Sequence, residues 1–427
     1  MRNGSGIREA GIPIDSEGRD YAPLVDSVAE WLMSQALGDC EIREIFAGCC
    51  QRLVAAGIPV SRAFLSYRTL HPLYASVFLI WERGAADVRV REMLHERAFS
   101  SEEWLTSPMN AMLQNGVTFL RRRLVGAGAT VDFDTLRSLQ RQGATDYLGY
   151  LIPFAENENV DPTVDGLFGS WATDREAGFT GHDIRDLVRV QKRLAVACKM
   201  QIRREITHNV VSAFLGADAG RKVLDGQIKR GDGRQLDAVI WYTDLRRSTG
   251  LAETLGASAY VDLLNRYFEC TAGAVLAHDG EVLSFIGDAV LAIFPIEDGD
   301  DGARRAARTA IEAAYDARGR LTDLNAARGD AEPIQFGLGL HVGQVMHGNI
   351  GVPERVEFSV IGPAANEVAR LEELTKTLGH DVLVSGAFAE LLPLAWNDLG
   401  EHPVRGSTRT LAVFAPPAGD GDAARSR

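Results

Sequence analysis

Two aspartates, an asparagine and an arginine stand at spacings that suit phosphoryl chemistry. In LDAVIWYTDLRRSTGLAETL a β-branched and aromatic run ends on Asp244, a tight turn follows, and a helical pattern begins. A carboxylate at the end of a buried strand, facing a helix N-terminus, suits a divalent cation bridged to phosphate oxygens. Backbone N–H groups of the turn and the helix dipole can meet the rest of a polyphosphate. Further on, EVLSFI and AVLAIF flank Gly287-Asp288, a two-residue hairpin signature. Asp288 alone reads as a turn former. A hairpin tip beside the strand of Asp244, however, would set two carboxylates together. Such a pair can hold two cations, one activating an attacking hydroxyl and the other stabilising a leaving phosphate oxygen. In VPERVEFSVIGPAANEVARLEELTK, Asn366 and Arg370 are four residues apart on a helical pattern and share a face. An amide and a guanidinium so displayed can orient a ribose and neutralise charge developing on a pentavalent phosphate. Each signal is weak by itself; their combination is not.

The elements that must position these groups occupy the second half of the chain. At 427 residues, and with roughly 150 residues per domain, two or three domains are expected. The clearest break is GADAGRKVLDGQIKRGDGRQ, 216–235, whose five glycines interrupt the apolar periodicity and read as a linker. Beyond it, PIQFGLGLHVGQVMHGNIG alternates like a strand pair turning at HVG. The composition, 46% hydrophobic and 24% charged, is that of a globular protein. A formal net charge of -13 opposes polyanions on average and argues against nucleic-acid binding, so a phosphate-bearing ligand must be held by local features. Five cysteines, Cys40, Cys49, Cys50, Cys198 and Cys270, show no CxxC spacing and support neither a disulfide framework nor a zinc site. No apolar run approaches the ~18 residues of a membrane span. The expected location is cytoplasmic, without a membrane partner.

The first half opens with helical patterns in VDSVAEWLMSQ and IREIFAGCCQRLVAAG. Strand-like runs follow in AFLSYRTL, YASVFLIWE, VTFLRRRL, DYLGYLIPFAE and GLFGSWAT, with a helix in FDTLRSLQRQGA. A long helix is expected from Thr180, a cap, to about Leu215. This order resembles a GAF-type sensor domain over about 21–180, a likeness of topology with no diagnostic motif, and it implies a small-molecule or protein regulator. On the long helix, Ile184, Leu187, Val190, Leu194, Ala197 and Ile202 could form a seam against a second copy or pack on their own domain. His71 could ligate a metal, Cys49-Cys50 could sense redox state, and Trp81, Trp104 and Trp171 could line a pocket. Structural roles are the commoner outcome for all of them.

Taken in order, TDLRRST, GEVLSFIGDAVLAIF, FGLGLHVGQVMHGNIG and EFSVIGPAANEVARLEE resemble the catalytic domain of class III nucleotidyl cyclases over about 235–415. The resemblance implies a ferredoxin-like α/β (α+β) fold acting as a homodimer with active sites between chains. It implies two divalent cations, Mg2+ or Mn2+, on Asp244 and Asp288, and a transition-state pair in Asn366 and Arg370. The turn Leu245, Arg246, Arg247, Ser248 and Thr249 matches the segment that contacts the triphosphate, and Arg405 matches a basic residue near the polyphosphate. The domain boundaries expected are 1–20 and 416–427 for the tails, 21–180 for the GAF-like domain, 181–235 for signalling helix and linker, and 236–415 for the catalytic domain.

Two positions bear on the purine. Adenylate cyclases of this family usually carry lysine four residues before the second metal aspartate, and guanylate cyclases carry glutamate; here it is Ser284. The companion position, seven residues before the asparagine, is Ser359, in keeping with Thr/Ser variants of bacterial adenylate cyclases. A serine hydroxyl both donates and accepts and excludes neither purine. The expectation is therefore an adenylate cyclase converting ATP to cyclic AMP. The alternatives are a guanylate or dual-specificity enzyme using GTP, and a pseudo-cyclase that binds nucleotide without turnover.

Overall fold

A computed structural model describes residues 23–98, 100–154, 166–299, 301–403 and 410–417. The chain divides into two compact units, Met1–Ala213 and Phe214–Arg427. The first begins with α1 (Pro23–Ala36), α2 (Ile42–Ala55), β1 (Arg62–Arg68), β2 (Tyr74–Glu82) and β3 (Arg89–Leu94). Two short helices, α3 (Glu102–Leu105) and α4 (Pro108–Gln114), lead to β4 (Phe119–Arg123), α5 (Asp134–Arg141), β5 (Asp146–Pro153) and β6 (Gly166–Thr173), and α6 (Gly181–Leu215) leaves the unit. The strands make one antiparallel sheet ordered β3-β2-β1-β6-β5-β4. One sheet face packs around Leu65, Leu79 and Trp171 with the apolar faces of α1, α2 and α6, while the other packs around Leu120, Leu136 and Tyr147. Strand β3 escaped sequence reading because RVREML is an exposed edge with no buried face to impose alternation.

Helix α6 starts where Thr180 and Asp183 close a reciprocal capping box. The Asp183 N–H donates to Thr180 Oγ1 at 3.2 Å and the Thr180 N–H to Asp183 Oδ2 at 2.7 Å. Its apolar stripe is used at home: Ile184, Leu187, Val190, Leu194, Ala197 and Ile202 are all buried in the core of the first unit. That stripe is therefore not a seam free to meet a second copy. His71 accepts a hydrogen bond from the Leu73 N–H at 3.1 Å and stacks on Tyr74, a turn-stabilising role. Cys49 and Cys50 are buried as small apolar groups, and all five cysteines are free thiols.

The second unit runs α7 (Ala217–Leu224), β7 (Gly233–Leu245), α8 (Ser248–Leu255), α9 (Ala257–Ala277), β8 (Glu281–Ile286), β9 (Ala289–Pro295), α10 (Gly302–Ala327) and β10 (Phe336–Val352). It finishes with β11 (Arg355–Ile361), α11 (Pro363–Leu378), β12 (Val382–Ser385), α12 (Gly386–Ala389), β13 (Asn397–Pro403) and β14 (Thr410–Ala415). The sheet order is β13-β14-β12-β10-β7-β9-β8, with β11 paired to β10 outside that path. Its β10-β7-β9-β8 portion, with crossovers through α9 and α10, is the ferredoxin-like arrangement. Strand alternation sorts β7: Val239 and Trp241 join the core shared with α9 and α10, whereas Ala238 and Ile240 join the one shared with α11.

Two expectations are corrected here. The stretch 216–235 is not a bare linker. It contains α7, which buries Ala219 and Gly220, and the Asn349 side chain donates to the Gln227 carbonyl at 2.7 Å. The segment PIQFGLGLHVGQVMHGNIG is not a strand pair but the single strand β10, in register with β7 from Phe336 opposite Leu245 to Gly348 opposite Gly233. Its glycines mark close backbone approach rather than turns. A Cβ on Gly339 would lie 2.6 Å from the Val368 carbonyl of α11, and one on Gly343 would lie 2.5 Å from Ala364 Cβ.

Gly339→Ala should therefore lower stability by about 1–3 kcal/mol through overpacking. Gly319→Ala, on the exposed side of α10 with no atom near its Cβ, should raise it by about 0.5–1 kcal/mol. Urea unfolding of both variants against the parent chain checks the pair.

Candidate active site

Strand β7 carries Asp244 to the rim of the sheet, half-buried and directly opposite Gly337 of β10. Leu245 beside it is buried. The chain then turns into α8 through Arg247, whose φ of 59° is left-handed. The neighbouring hairpin turns at Gly287, φ 63°, with Ile286 opposite Ala289, and sets Asp288 at its tip. Pairing of β9 with β7 brings that tip to Asp244. The Asp244 carboxyl is raised above the usual carboxylate range, first by burial and then by the charge of Asp288. Asp288 Oδ2 is itself buried and has no hydrogen-bond partner. The Tyr260 hydroxyl is raised by burial and then by Asp288 and, more weakly, Asp244, which puts a phenol from α9 beside the same pair.

Helix α11 closes the site with two residues that sequence reasoning missed. Lys376 Nζ lies 3.2 Å from Asp244 Oδ2 and 3.6 Å from Glu372 Oε1. Glu372 is buried, and its carboxyl is pushed up to about 7, chiefly by burial and also by Asp244, against the pull of Lys376. Gly337 has no side chain where Glu372 and Thr375 need the space. The signal in the sequence was a Glu–Lys pair at i,i+4, which reads as an ordinary solvated helix face.

The residues expected in the triphosphate turn separate. Arg246 is committed to the fold: its guanidinium donates to the carbonyls of Phe336 at 3.1 Å, Thr375 at 3.2 Å and His380 at 2.9 Å. Its backbone N–H donates to the Gln335 carbonyl at 2.9 Å, so in this chain Arg246 serves as a strut between β10 and α11. Arg247 pairs with Glu332. Ser248 and Thr249 open α8, where first-turn N–H groups have no intrahelical partner. Ser284 on β8 and Ser359 on β11 are half-buried on strands that touch one another. Arg405 lies outside the described residues.

Asn366 and Arg370 occupy the first half of α11. Asn366 is exposed, and Arg370 Nη1 reaches both oxygens of Glu373 at 2.7 Å. Among the described residues no hydrogen bond or ion pair joins either to Asp244 or Asp288. The helix rise puts Arg370 about 9 Å, and Asn366 about 15 Å, along the axis from Lys376, which does touch Asp244. Within one chain the amide–guanidinium pair and the carboxylate pair are thus apart.

The donor set at Asp244 and Asp288 fits a hard divalent cation. Both are oxygen ligands, they repel one another, and one oxygen is buried without a partner. The carboxylate pair thus sits at adjoining strand and hairpin ends of a ferredoxin-like sheet. Residues 233–415 match the family model described as the adenylate and guanylate cyclase catalytic domain, and this part of the chain is a class III cyclase catalytic domain. Similar proteins include an uncharacterised protein of Mycobacterium tuberculosis, 33% identical over 210 residues, covering 48% of this chain and 36% of the relative. Adenylate cyclase 1 of Rhizobium meliloti is 29% identical over 184 residues, 42% of this chain and 27% of that protein. The adenylate cyclase of Anabaena cylindrica is 30% identical over 176 residues, 41% and 34%. The chain thus spans about a third of the length of the relatives it matches. Among solved structures, the adenylyl cyclase CyaB from P. aeruginosa aligns at 25% identity and TM-score 0.40, covering 44% of this chain and 97% of that one.

Lys376→Met should destabilise the cation-free protein at pH 8 by about 1 kcal/mol, read as ~2–4 °C in Tm. Added Mn2+ should recover that loss, because a cation on Asp244 and Asp288 replaces the missing ammonium. A thermal melt with and without Mn2+ measures both.

Proposed function

We propose that the chain is a homodimeric adenylate cyclase that converts ATP to 3′,5′-cyclic AMP and pyrophosphate. The observation that carries the reading is the pairing of Asp244 with Asp288, whose buried oxygen lacks a partner, inside a domain of the cyclase family. Asp244 and Asp288 would hold two cations, Mg2+ or Mn2+, which when bound lower the pKa of the ribose 3′-hydroxyl and stabilise charge on the leaving pyrophosphate. Ser248 and Thr249 present free first-turn N–H groups to the polyphosphate. Asn366 orients the ribose, and Arg370, released from Glu373, neutralises charge at the α-phosphate. Attack is in line, the 3′-oxygen–phosphorus bond forms as the bond to pyrophosphate breaks, and proximity is built into the substrate.

The separation of Arg370 from Asp244 along α11 supports a site completed between two chains, one giving the carboxylates and the other the amide and guanidinium. Ser359 and the lack of glutamate at 284 favour adenine; Ser284 can serve guanine as well, so GTP is the competing substrate. The first unit is proposed as the regulatory domain. It holds a cavity of about 160 Å³ lined by Phe64, Phe78, Trp104, Tyr147 and Phe168 among others, which suits a small ligand. A regulator there acts only if it binds one dimer arrangement more tightly than another.

The test is cyclic nucleotide formation by purified protein with Mn2+ or Mg2+ and either ATP or GTP. Cyclic AMP is expected to dominate, and no product from either nucleotide would overturn the enzyme reading. Arg370→Ala should cost on the order of 3 kcal/mol, roughly a hundredfold in kcat. Mixing inactive Asp288→Ala and Arg370→Ala chains should restore activity through heterodimers with one intact site; persistent inactivity in verified heterodimers would exclude the shared site.

A further inference from the structure

A second cluster of metal-binding groups lies in the second unit away from Asp244 and Asp288. Asp218 on α7, Glu281 at the start of β8 and His347 on β10 each place one ligand atom within 4.8 Å of the others. His347 is the informative member. The residue is 1% exposed, and neither ring nitrogen has a hydrogen-bond partner. Buried imidazoles ordinarily donate from one nitrogen and accept at the other, because an unmet polar group out of water is costly. The ring is fixed by an edge contact to Phe358, centroids 4.5 Å apart, and packing alone leaves both nitrogens unused. Burial and the nearby Lys222 keep it neutral, the form that binds metals.

We infer that Asp218, Glu281 and His347 form a site for a divalent transition metal, with Zn2+ as its best-fitting occupant. An imidazole nitrogen with two carboxylate oxygens selects such ions over Mg2+ or Ca2+, which prefer all-oxygen shells. Ligand distances of about 2.0–2.2 Å require the three atoms to draw closer than they stand now, a motion the Asp and Glu side chains supply by rotation. Lys222, one turn along α7, ion-pairs with Asp218 Oδ2, and Arg221 pairs with the other oxygen at 2.8 Å, so Lys222 is a cation that a metal would displace. Its ammonium also lies 5.4 Å from the Phe358 ring centroid, an alternative resting place when a metal takes Asp218. The three ligands come from three elements, so occupancy ties α7 to the sheet. Strand β8 leads to the Asp288 turn and β10 pairs with the strand of Asp244, so the tie reaches both strands that hold the carboxylate pair.

The test uses the full chain carrying Asp244→Asn and Asp288→Asn, so that the active-site pair does not contribute. Equilibrium dialysis should find one Zn2+ per chain, and Co2+ used as a probe should develop visible absorption bands. Asp218→Asn and Glu281→Gln should each weaken Zn2+ binding by roughly tenfold or more, with unchanged circular dichroism. Lys222→Met removes the competing ammonium without removing a ligand and should tighten binding, which decides the matter even if a ligand variant fails to fold. Absence of stoichiometric Zn2+ in the parent, binding unchanged in both ligand variants, or no tightening in Lys222→Met would overturn the site.

Discussion

Three carboxyl groups, Asp244, Asp288 and Glu372, are drawn into one corner of the second unit, where burial and neighbouring negative charge disfavour the charged forms of Asp244 and Glu372. Such a cluster persists only if positive charge is supplied or protons are retained. The fold does some of each: Lys376 sits on Asp244 and Glu372, and the carboxyl of Glu372 is pushed up to about 7. The buried, unpartnered Asp288 oxygen is the part of this balance that the chain leaves open. On the proposed function, cations held at that opening would reverse the local field and let a chain of net negative charge take an anionic substrate.

The corner depends on how closely α11 lies against β10. Glycines at 337, 339 and 343 remove the side chains that would hold the helix off, so Glu372 and Lys376 reach the end of β7. Arg246 then bolts the same contact with three carbonyl bonds. Charge placement and backbone approach are therefore one design: a helix standing further away would leave Asp244 without its counter-ion.

Much of this was legible in the sequence where local chemistry and period agreed. The hairpin at Gly287-Asp288, the strand ending on Asp244, the helix bearing Asn366 and Arg370, and the cap at Thr180 all combine a turn or cap residue with a clear periodicity. Reading failed where one residue type serves two purposes. Glycines in β10 looked like turn formers because close helix packing leaves no local trace, whereas Gly216, Gly226 and Gly231 do sit at positive φ and only masked the short helix α7 between the first two. The structural role of Arg246 was hidden too: it was read only as part of the turn matching the triphosphate segment, because its three carbonyl partners come from residues 90 to 134 positions away. The seam on α6 was visible, but periodicity cannot say which surface covers it.

The claim on which the rest turns is that Asp244 and Asp288 act together as a cation site for a triphosphate. Anomalous diffraction from crystals grown with Mn2+ and a non-cyclisable ATP analogue addresses it directly. Two manganese peaks are expected between these carboxylates and the phosphates, with Asn366 and Arg370 of a second chain facing the same nucleotide. Nucleotide bound elsewhere, or manganese absent from both aspartates while Lys376 remains on Asp244, would contradict it.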